Sequence, residues 1–194
     1  MKQFFGSSQR GDLKEAVRGL QNPQLILLMS NQEQFETHVQ ELERLYPRVP
    51  SIGCIGMSYD TKIVEKGVGV VAFCEGVSAV ANVLEQVSTM PVKYIERLQR
   101  DVRMVSASQK DTICLDFCSG NDACVLTTIY TVLKPLHISL VGGTGDGGRV
   151  SANGQIYEDA VAYALVRNNH GKIKAYKENI CPQMGNYRFI ASDT

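Results

Sequence analysis

The chain has 194 residues, of which 44% are hydrophobic and 21% are charged, and its 20 basic and 20 acidic residues leave no net charge. This length suits one large domain or two closely packed halves with an ample core. The neutral balance gives no electrostatic reason to expect a nucleic-acid or membrane partner. The N-terminus has no signal-peptide core, and no apolar run reaches the roughly 20 residues that span a bilayer, so we expect a cytoplasmic protein.

The six cysteines predict neither disulfides nor a metal site. Cys54, Cys74 and Cys114 lie in or at the end of apolar, strand-like runs. In a chain without an export signal, this placement favours reduced, buried thiols. Cys114, Cys118 and Cys124 lie near one another in the sequence, but there is no C-x-x-C pair and no histidine at zinc-finger spacing, so no metal is expected.

The first predicted elements are a short helix, a strand and a longer helix. Asp12 and Glu15 have the spacing of a capping box, and the run LILLMS that begins at residue 25 is a strand. A second apolar stripe then predicts a helix that Pro47 ends. His38 lies beside this stripe and is interpreted as a core-edge or surface histidine. The two helical faces comprise Leu13, Ala16, Val17 and Leu20, and Phe35, Val39, Leu42 and Tyr46.

The order strand, helix, proline and strand occurs twice, in residues 25–56 and 113–145. Both second strands end in a glycine-rich turn, and two matched residue pairs are separated by the same interval. If the halves pack about a pseudo-twofold axis, the two turns meet, and bare glycine backbone is a surface that a ligand can approach closely. The repeat therefore favours a binding site over a catalytic one. The matched pairs are Pro47 with Pro135 and Ser51 with Ser139.

The remaining pattern completes a mixed α/β domain with layered sheets, built from similar halves at about 1–90 and 91–180. A valine-rich segment predicts two strands around Glu75-Gly76, and Asn153-Gly154 is a hairpin signal. We also predict two further helices and four further strands. The strands lie at GRVSANGQIYE and DAVAYALVRN and, near the C-terminus, at KIKAYKEN and YRFIAS. The helical faces are Val92, Ile95, Leu98 and Val102, and, after the capping stretch Ser119-Gly120-Asn121-Asp122, Leu126, Ile129, Tyr130 and Leu133.

The second glycine turn is the main candidate for function. Gly143-x-Gly145-x-x-Gly148 has the letters of a dinucleotide fingerprint, but strand-like sequence follows it where the fingerprint needs a helix. Asp146 either holds a cationic group or caps the turn. Asp116 lies inside an apolar strand and needs a partner, for which Arg149 and Lys62 are candidates. The predicted ligand site comprises Gly53, Cys54, Gly142, Gly143, Thr144 and Asp146.

At SIGCIGMS and SLVGGTGD the chain resembles the N-terminal domain of the FIST family, named for F-box and intracellular signal transduction proteins, and the resemblance covers nearly the whole chain. It implies a cytoplasmic sensory domain for small ligands such as amino acids, and we expect neither catalysis nor a cofactor. It also implies that residues 1–194 precede a companion C-terminal domain and an output region, as in chemotaxis or other signal-transduction proteins. The chain departs from the family pattern at Ile55, where a small hydroxyl residue is common, and at Gly145, where alanine is usual.

Two alternatives remain open at this point. The first is a haem-based sensor of nitric oxide or another gas, because some FIST proteins bind haem. Its iron ligand would be His137, His38, His170 or the thiolate of Cys181, which precedes a proline. The second is a small hydrolase with Cys54 as nucleophile, although the sequence shows no evident base for it.

Overall fold

The computed structural model describes residues 1–56, 58, 59, 62, 63, 66–120 and 122–176. The predictions for KIKAYKEN beyond Tyr176, for YRFIAS and for Cys181 lie outside the described residues. No helix in the described part of the chain is long and apolar enough to cross a membrane.

The first half contains two helices and six strands, which follow one another in this order: β1 (Gln3–Ser8), α1 (Leu13–Ala16), β2 (Leu25–Ser30), α2 (Phe35–Leu45), β3 (Ser51–Ile55), β4 (Ser58–Tyr59), β5 (Lys62–Ile63) and β6 (Val68–Phe73). Asp12 caps α1, since its side chain accepts a hydrogen bond from the Glu15 amide at 3.1 Å. The Glu15 carboxylate instead accepts from the Ser8 hydroxyl at 2.6 Å. The capping residue was therefore predicted correctly, whereas the reciprocal half of the box is replaced by a contact to β1.

The second half repeats this order with longer elements, which are β7 (Val77–Glu85), α3 (Ile95–Met104), β8 (Thr112–Cys118), α4 (Asp122–Leu133), β9 (Ser139–Thr144), β10 (Asp146–Ala152), β11 (Gln155–Glu158) and β12 (Ala160–Asn168). Turns of 3-10 helix at Pro91–Tyr94 and Lys134–Leu136 adjoin α3 and α4. Asn153 and Gly154 have φ of 49° and 78°, as the predicted β10–β11 hairpin requires.

Strand order confirms the internal repeat. One sheet has the order β1-β6-β2-β3-β10-β11, and the other has the order β7-β12-β8-β9. In both sheets the first four strands run antiparallel, antiparallel and then parallel, so β2 and β3 correspond to β8 and β9. Ser51 pairs with Ile26 in one half, and Ser139 pairs with Ile113 in the other. Each serine therefore pairs with the second residue of the preceding parallel strand, so the two halves share one register.

The domain has four layers, with the two sheets face to face and the helices outside. One apolar core lies between the first sheet and helices α1 and α2, and a second lies between the other sheet and helices α3 and α4. A third core fills the space between the sheets and includes Leu25, Ile52, Val150 and Ala162. Both faces of the central strands are covered. Their sequences are therefore continuous apolar runs rather than alternating apolar and polar residues.

Several predictions about the fold need correction. The two strands flanking Glu75-Gly76 exist, but β7 pairs with β12 in the second sheet, so the repeat divides between β6 and β7 rather than near residue 90. Strand β1 was missed, because its polar residues gave no clear alternation. Val92 and Tyr130 are 61% and 46% exposed and do not belong to the buried helical faces. Residues 172–176 carry no strand, although one was predicted there.

Candidate functional site

The two glycine turns meet in the structure. The amide of Gly56 donates to the Ser30 carbonyl at 2.9 Å, and the amide of Gly145 donates to the Cys118 carbonyl at the same distance. Each turn therefore closes on the last residue of the neighbouring parallel strand in the same way. Strand β10 then leaves the second turn and pairs antiparallel with β3, with Asp146 opposite Ile55. We call this region the carboxyl-end junction; it comprises residues 53–56, 119–120 and 142–148.

The loop after the second turn does not pair with strand β3. The register between β10 and β3 shifts between Asp146 and Val150, so residues 147–149 lie outside that ladder. Gly147 and Gly148 have φ of 67° and 68°, a left-handed conformation that favours glycine. The loop lies at the carboxyl ends of parallel strands, which is where open α/β sheets bind their ligands.

The structure divides the predicted site residues into two groups. Gly142, Gly143, Thr144 and Asp146 are exposed. Gly53 and Cys54 are buried, and a Cβ added at Gly53 would lie 2.6 Å from the Ser151 hydroxyl oxygen. Gly53 and Cys54 therefore form the buried part of the junction, because β10 covers them, whereas the predicted residues of the second turn face solvent.

Gly142 and Gly143 differ sharply in their surroundings. A Cβ on Gly142 would overlap the carbonyl and carboxylate oxygens of Asp116, its partner in the β8–β9 ladder. A Cβ on Gly143 would meet no atom of the described residues within 4 Å. Gly142 is thus required by packing, whereas the space beside Gly143 can accept either a side chain or a ligand.

Asp116 is buried behind this turn. Its carboxylate accepts a hydrogen bond from the Cys118 thiol at 3.3 Å. The guanidinium of Arg149, one of the two predicted partners, lies over the Phe35 ring at 5.9 Å from its centroid. The Lys62 side chain lies outside the described part of the chain. Asp116 therefore has a neutral partner in Cys118, which sequence reasoning did not identify.

The environment of Cys54 does not suit a nucleophile. Burial, together with the nearby carboxylate of Asp146, raises the pKa of Cys54 to about 12. The thiolate is the reactive form of cysteine, so at neutral pH this side chain is an inert thiol. The hydrolase alternative thereby loses the group on which it rested.

Four cysteines, Cys54, Cys74, Cys114 and Cys118, are free and buried. We expect a reducing agent to leave the melting temperature of the protein unchanged, because no bridge among these four contributes to stability. Loss of a native disulfide typically costs about 2–5 kcal/mol, which a thermal scan resolves easily. A clear fall in melting temperature under reduction would contradict the prediction.

The histidines proposed as haem ligands have different environments. His38 is buried, and its Nε2 lies 2.9 Å from the Gly11 carbonyl, which can only accept. Nε2 therefore donates, and Nδ1 lies 2.7 Å from the Ser30 hydroxyl oxygen, which also lies 3.0 Å from the Asn31 carbonyl oxygen. With both nitrogens hydrogen-bonded, His38 has no lone pair free for iron in this conformation. His137 and His170 are exposed.

His38 gives a prediction for the pH dependence of stability. Burial lowers the pKa of His38 below its usual value, although the Gly11 carbonyl partly offsets this effect. The unfolded chain therefore binds the proton more readily, and stability should fall as the pH drops below about 6.5 towards the folded-state pKa. Urea unfolding at pH 7.5 and 5.5 would measure this loss. His38→Gln should show a smaller difference between the two pH values, and an equal difference would refute the assignment.

Outside the predicted residues, the structure contains a groove of about 430 Å³ along β9. It is lined by Tyr130, Ile138, Ser139, Leu140, Val141, Gly142, Ala175 and Tyr176. Gly142 is the one predicted site residue that lines it. Sequence reasoning missed this groove because it placed Tyr130 in a buried helical face and could not predict that β9 is the last strand of its sheet among the described residues.

Comparisons with known proteins support one assignment. No curated protein matches the chain. Among solved structures, the crystal structure of a cyanuric acid hydrolase from A. caulinodans aligns with a TM-score of 0.45 at 9% identity, over 87% of this chain and 71% of that chain. At this level of similarity, the hydrolase has no bearing on the activity of this protein. The FIST N domain model matches residues 24–192, and the chain therefore belongs to this family of sensory domains.

Proposed function

We propose that this domain binds a small molecule, an amino acid or a similar metabolite, at the carboxyl-end junction, and that it serves a cytoplasmic signal-transduction protein. One observation carries the proposal: the exposed glycine turn of the second half lies where the two halves meet. Gly143 leaves open space beside its backbone. A ligand bound there would contact β9 and β10, which belong to different sheets.

The chemistry of the loop suits a ligand that carries both a positive and a negative charge. Asp146 is exposed and offers a carboxylate to an ammonium group. Residues 147–149 lie outside the ladder with β3, and amide groups in glycine turns commonly bind anions. An α-amino acid presents an ammonium and a carboxylate on adjacent atoms, so one molecule can use both features.

Ligand binding at this position can be coupled to signalling. A ligand changes a conformational equilibrium only through its different affinities for the two states. Contacts to β10 and β9 together would favour one arrangement of the two sheets over another. A companion C-terminal domain and an output region are the proposed recipients of that change.

A thermal-shift screen of amino acids and small metabolites tests the proposal. A ligand at 100 times its dissociation constant adds about 2.7 kcal/mol to the free energy of unfolding. The same samples should show no Soret absorption, because the proposed site needs no haem. A protein that is purified with bound haem, or that no compound in the screen stabilises, would contradict the proposal.

The role of Asp146 can be tested separately. We expect Asp146→Asn to weaken binding of an amino ligand at least about tenfold, since a charge-assisted hydrogen bond is roughly twice as strong as a neutral one. Calorimetry with the best compound from the screen measures the change. Glu158→Gln is the matched control, because it removes one exposed carboxylate from the neighbouring strand β11. Equal affinities in the two variants would restrict Asp146 to capping the turn.

A further inference from the structure

The outer face of helix α3 carries a concentration of positive charge. A groove of about 600 Å³ lies along this helix and the 3-10 turn before it; we call it the basic groove. Four basic side chains line it, Lys93, Arg97, Arg100 and Arg103, together with one carboxylate, Glu96. Three of these cations, Lys93, Arg100 and Arg103, are exposed. The chain as a whole has 20 basic and 20 acidic residues, so this surface departs from a neutral average.

Two of these cations are held in position by the protein. The Arg97 guanidinium lies over the buried ring of Tyr94, at 4.5 Å from its centroid, and the Lys93 ammonium lies 5.1 Å from the same centroid. Arg97 also donates a hydrogen bond to the Val83 carbonyl at 2.8 Å. Cation–π contact and this hydrogen bond restrain both side chains. A partner would therefore lose less entropy in ordering them than in ordering two free side chains.

The positive charges of the basic groove do not favour helix α3 itself. Like charges three or four residues apart repel one another on a helix, and Arg97, Arg100 and Arg103 follow at this spacing. Lys93 lies just before α3, where the helix dipole disfavours a cation. Arg100 lies 3.9 Å from the Asp101 carboxylate, yet its side chain is 62% exposed. An anionic partner would relieve the repulsion that the helix tolerates.

The helices of the first half neutralise their charges within the domain. Lys14 of α1 lies 4.0 Å from the Glu41 carboxylate of the neighbouring helix α2, and Arg44 lies 3.8 Å from the same carboxylate. In the second half, α3 packs beside α4, whose sequence DACVLTTIYTVL contains no acidic residue after Asp122. Beyond its first residue, α4 therefore offers the basic groove no counterpart of Glu41.

We propose that the basic groove docks an acidic helix of a partner protein. The basic residues from Lys93 to Arg103 extend over about 15 Å, since a helix rises about 1.5 Å per residue. Carboxylates on four successive turns of a partner helix extend over about 16 Å, whereas four alternate residues of an extended segment extend over about 20 Å. The helical spacing is the closer match. Opposite charges on the two helices speed their encounter and fix their register.

Exposed apolar side chains at both ends of the basic groove favour a protein over a nucleic acid. Val92 precedes Lys93 and is 61% exposed, and Met104 follows Arg103 and is 66% exposed. Arginine and methionine are enriched in protein interfaces, and the flexible methionine side chain adapts to the surface that it meets. Contacts to a phosphate backbone use cations and have no need of these apolar groups. We therefore expect the partner helix to carry an apolar residue beyond each end of its acidic stripe.

Binding of a designed peptide to the full chain tests the proposal. The probe is an alanine-based helical peptide of about 20 residues, with glutamate on four successive turns and leucine at each end of that face. In the control peptide, glutamine replaces every glutamate. Fluorescence anisotropy should show saturable binding of the glutamate peptide that weakens as salt is added, and at least about tenfold weaker binding of the control peptide.

Charge reversal locates the binding surface. We expect Arg103→Glu to weaken binding of the glutamate peptide at least about tenfold, because it replaces an attraction with a repulsion. Arg18→Glu is the matched control and should bind like the parent: it changes the net charge equally, and Arg18 is an exposed residue just after α1, on the opposite outer layer. Met104→Gln should weaken binding about fivefold without altering its salt dependence, since it removes apolar contact and no charge. All three variants should keep the melting temperature of the parent.

Equal binding of the two peptides would overturn the proposal, and so would equal effects of Arg103→Glu and Arg18→Glu. A single-stranded oligonucleotide or inorganic pyrophosphate that displaces the glutamate peptide and binds more tightly would assign the basic groove to a phosphate ligand and would also overturn it. The assay contains no metabolite, and α3 lies in the helical layer outside the second sheet, so the result is independent of the proposed sensory function.

Discussion

Gly142→Val is expected to destabilise the domain by about 3 kcal/mol or more, at the upper end of the usual cost of overpacking, whereas Gly143→Val should fold like the parent. The added side chain at Gly142 would have to displace Asp116, which is held in a strand paired on both sides. The side chain at Gly143 would enter open space, and its φ is not positive. Urea unfolding of the two variants measures the difference.

The same pair of variants tests the proposed ligand site. Gly143→Val retains the fold but places a branched side chain where the ligand would rest, so calorimetry with the best screened compound should detect no binding. Gly143→Ala is the graded control and should lose less affinity. If Gly143→Val binds the compound as tightly as the parent does, the glycine turn serves the fold alone and the ligand binds elsewhere.

Asp101→Ala is expected to cost about 2–5 kcal/mol, because it removes the acceptor from the buried Tyr163 hydroxyl and from the half-buried Asn82 amide. Asp101 is 1% exposed and accepts hydrogen bonds from the Tyr163 hydroxyl at 2.6 Å and from the Asn82 amide at 3.1 Å. Burial and the hydrogen bond to Asp101 raise the pKa of Tyr163 far above its usual value, so the hydroxyl keeps its proton and donates it. Chemical denaturation measures the loss.

Two further variants separate this network from the general effect of changing helix α3. Tyr163→Phe removes one donor and leaves the Asn82 contact, so it should cost less, about 1–2 kcal/mol. Glu96→Ala changes an exposed residue of the same helix and should stay within about 0.5 kcal/mol of the parent. If Asp101→Ala were no more harmful than Glu96→Ala, the buried network would have no role in stability.

The sequence alone predicted the two strand-helix-strand units, because their signals are local. Continuous apolar runs identified β2, β3 and β8, the stripe from Phe35 to Tyr46 identified α2, and Asn153-Gly154 identified the β10–β11 hairpin. The matched spacing of prolines and serines also predicted that the halves share one register. It predicted that the glycine turns would meet, which the pairing of β10 with β3 confirms.

Only the tertiary structure decided which residues of the glycine turns are accessible to a ligand. Gly142 and Gly143 are the same residue type, yet Asp116 fills the space beside Gly142, and no residue that the structure describes fills the space beside Gly143. Cys54 and Gly53 read as part of an open turn, but β10 crosses from the second half and covers them. These outcomes depend on contacts between residues far apart in the chain, whereas local composition and periodicity report only on a residue's immediate neighbours.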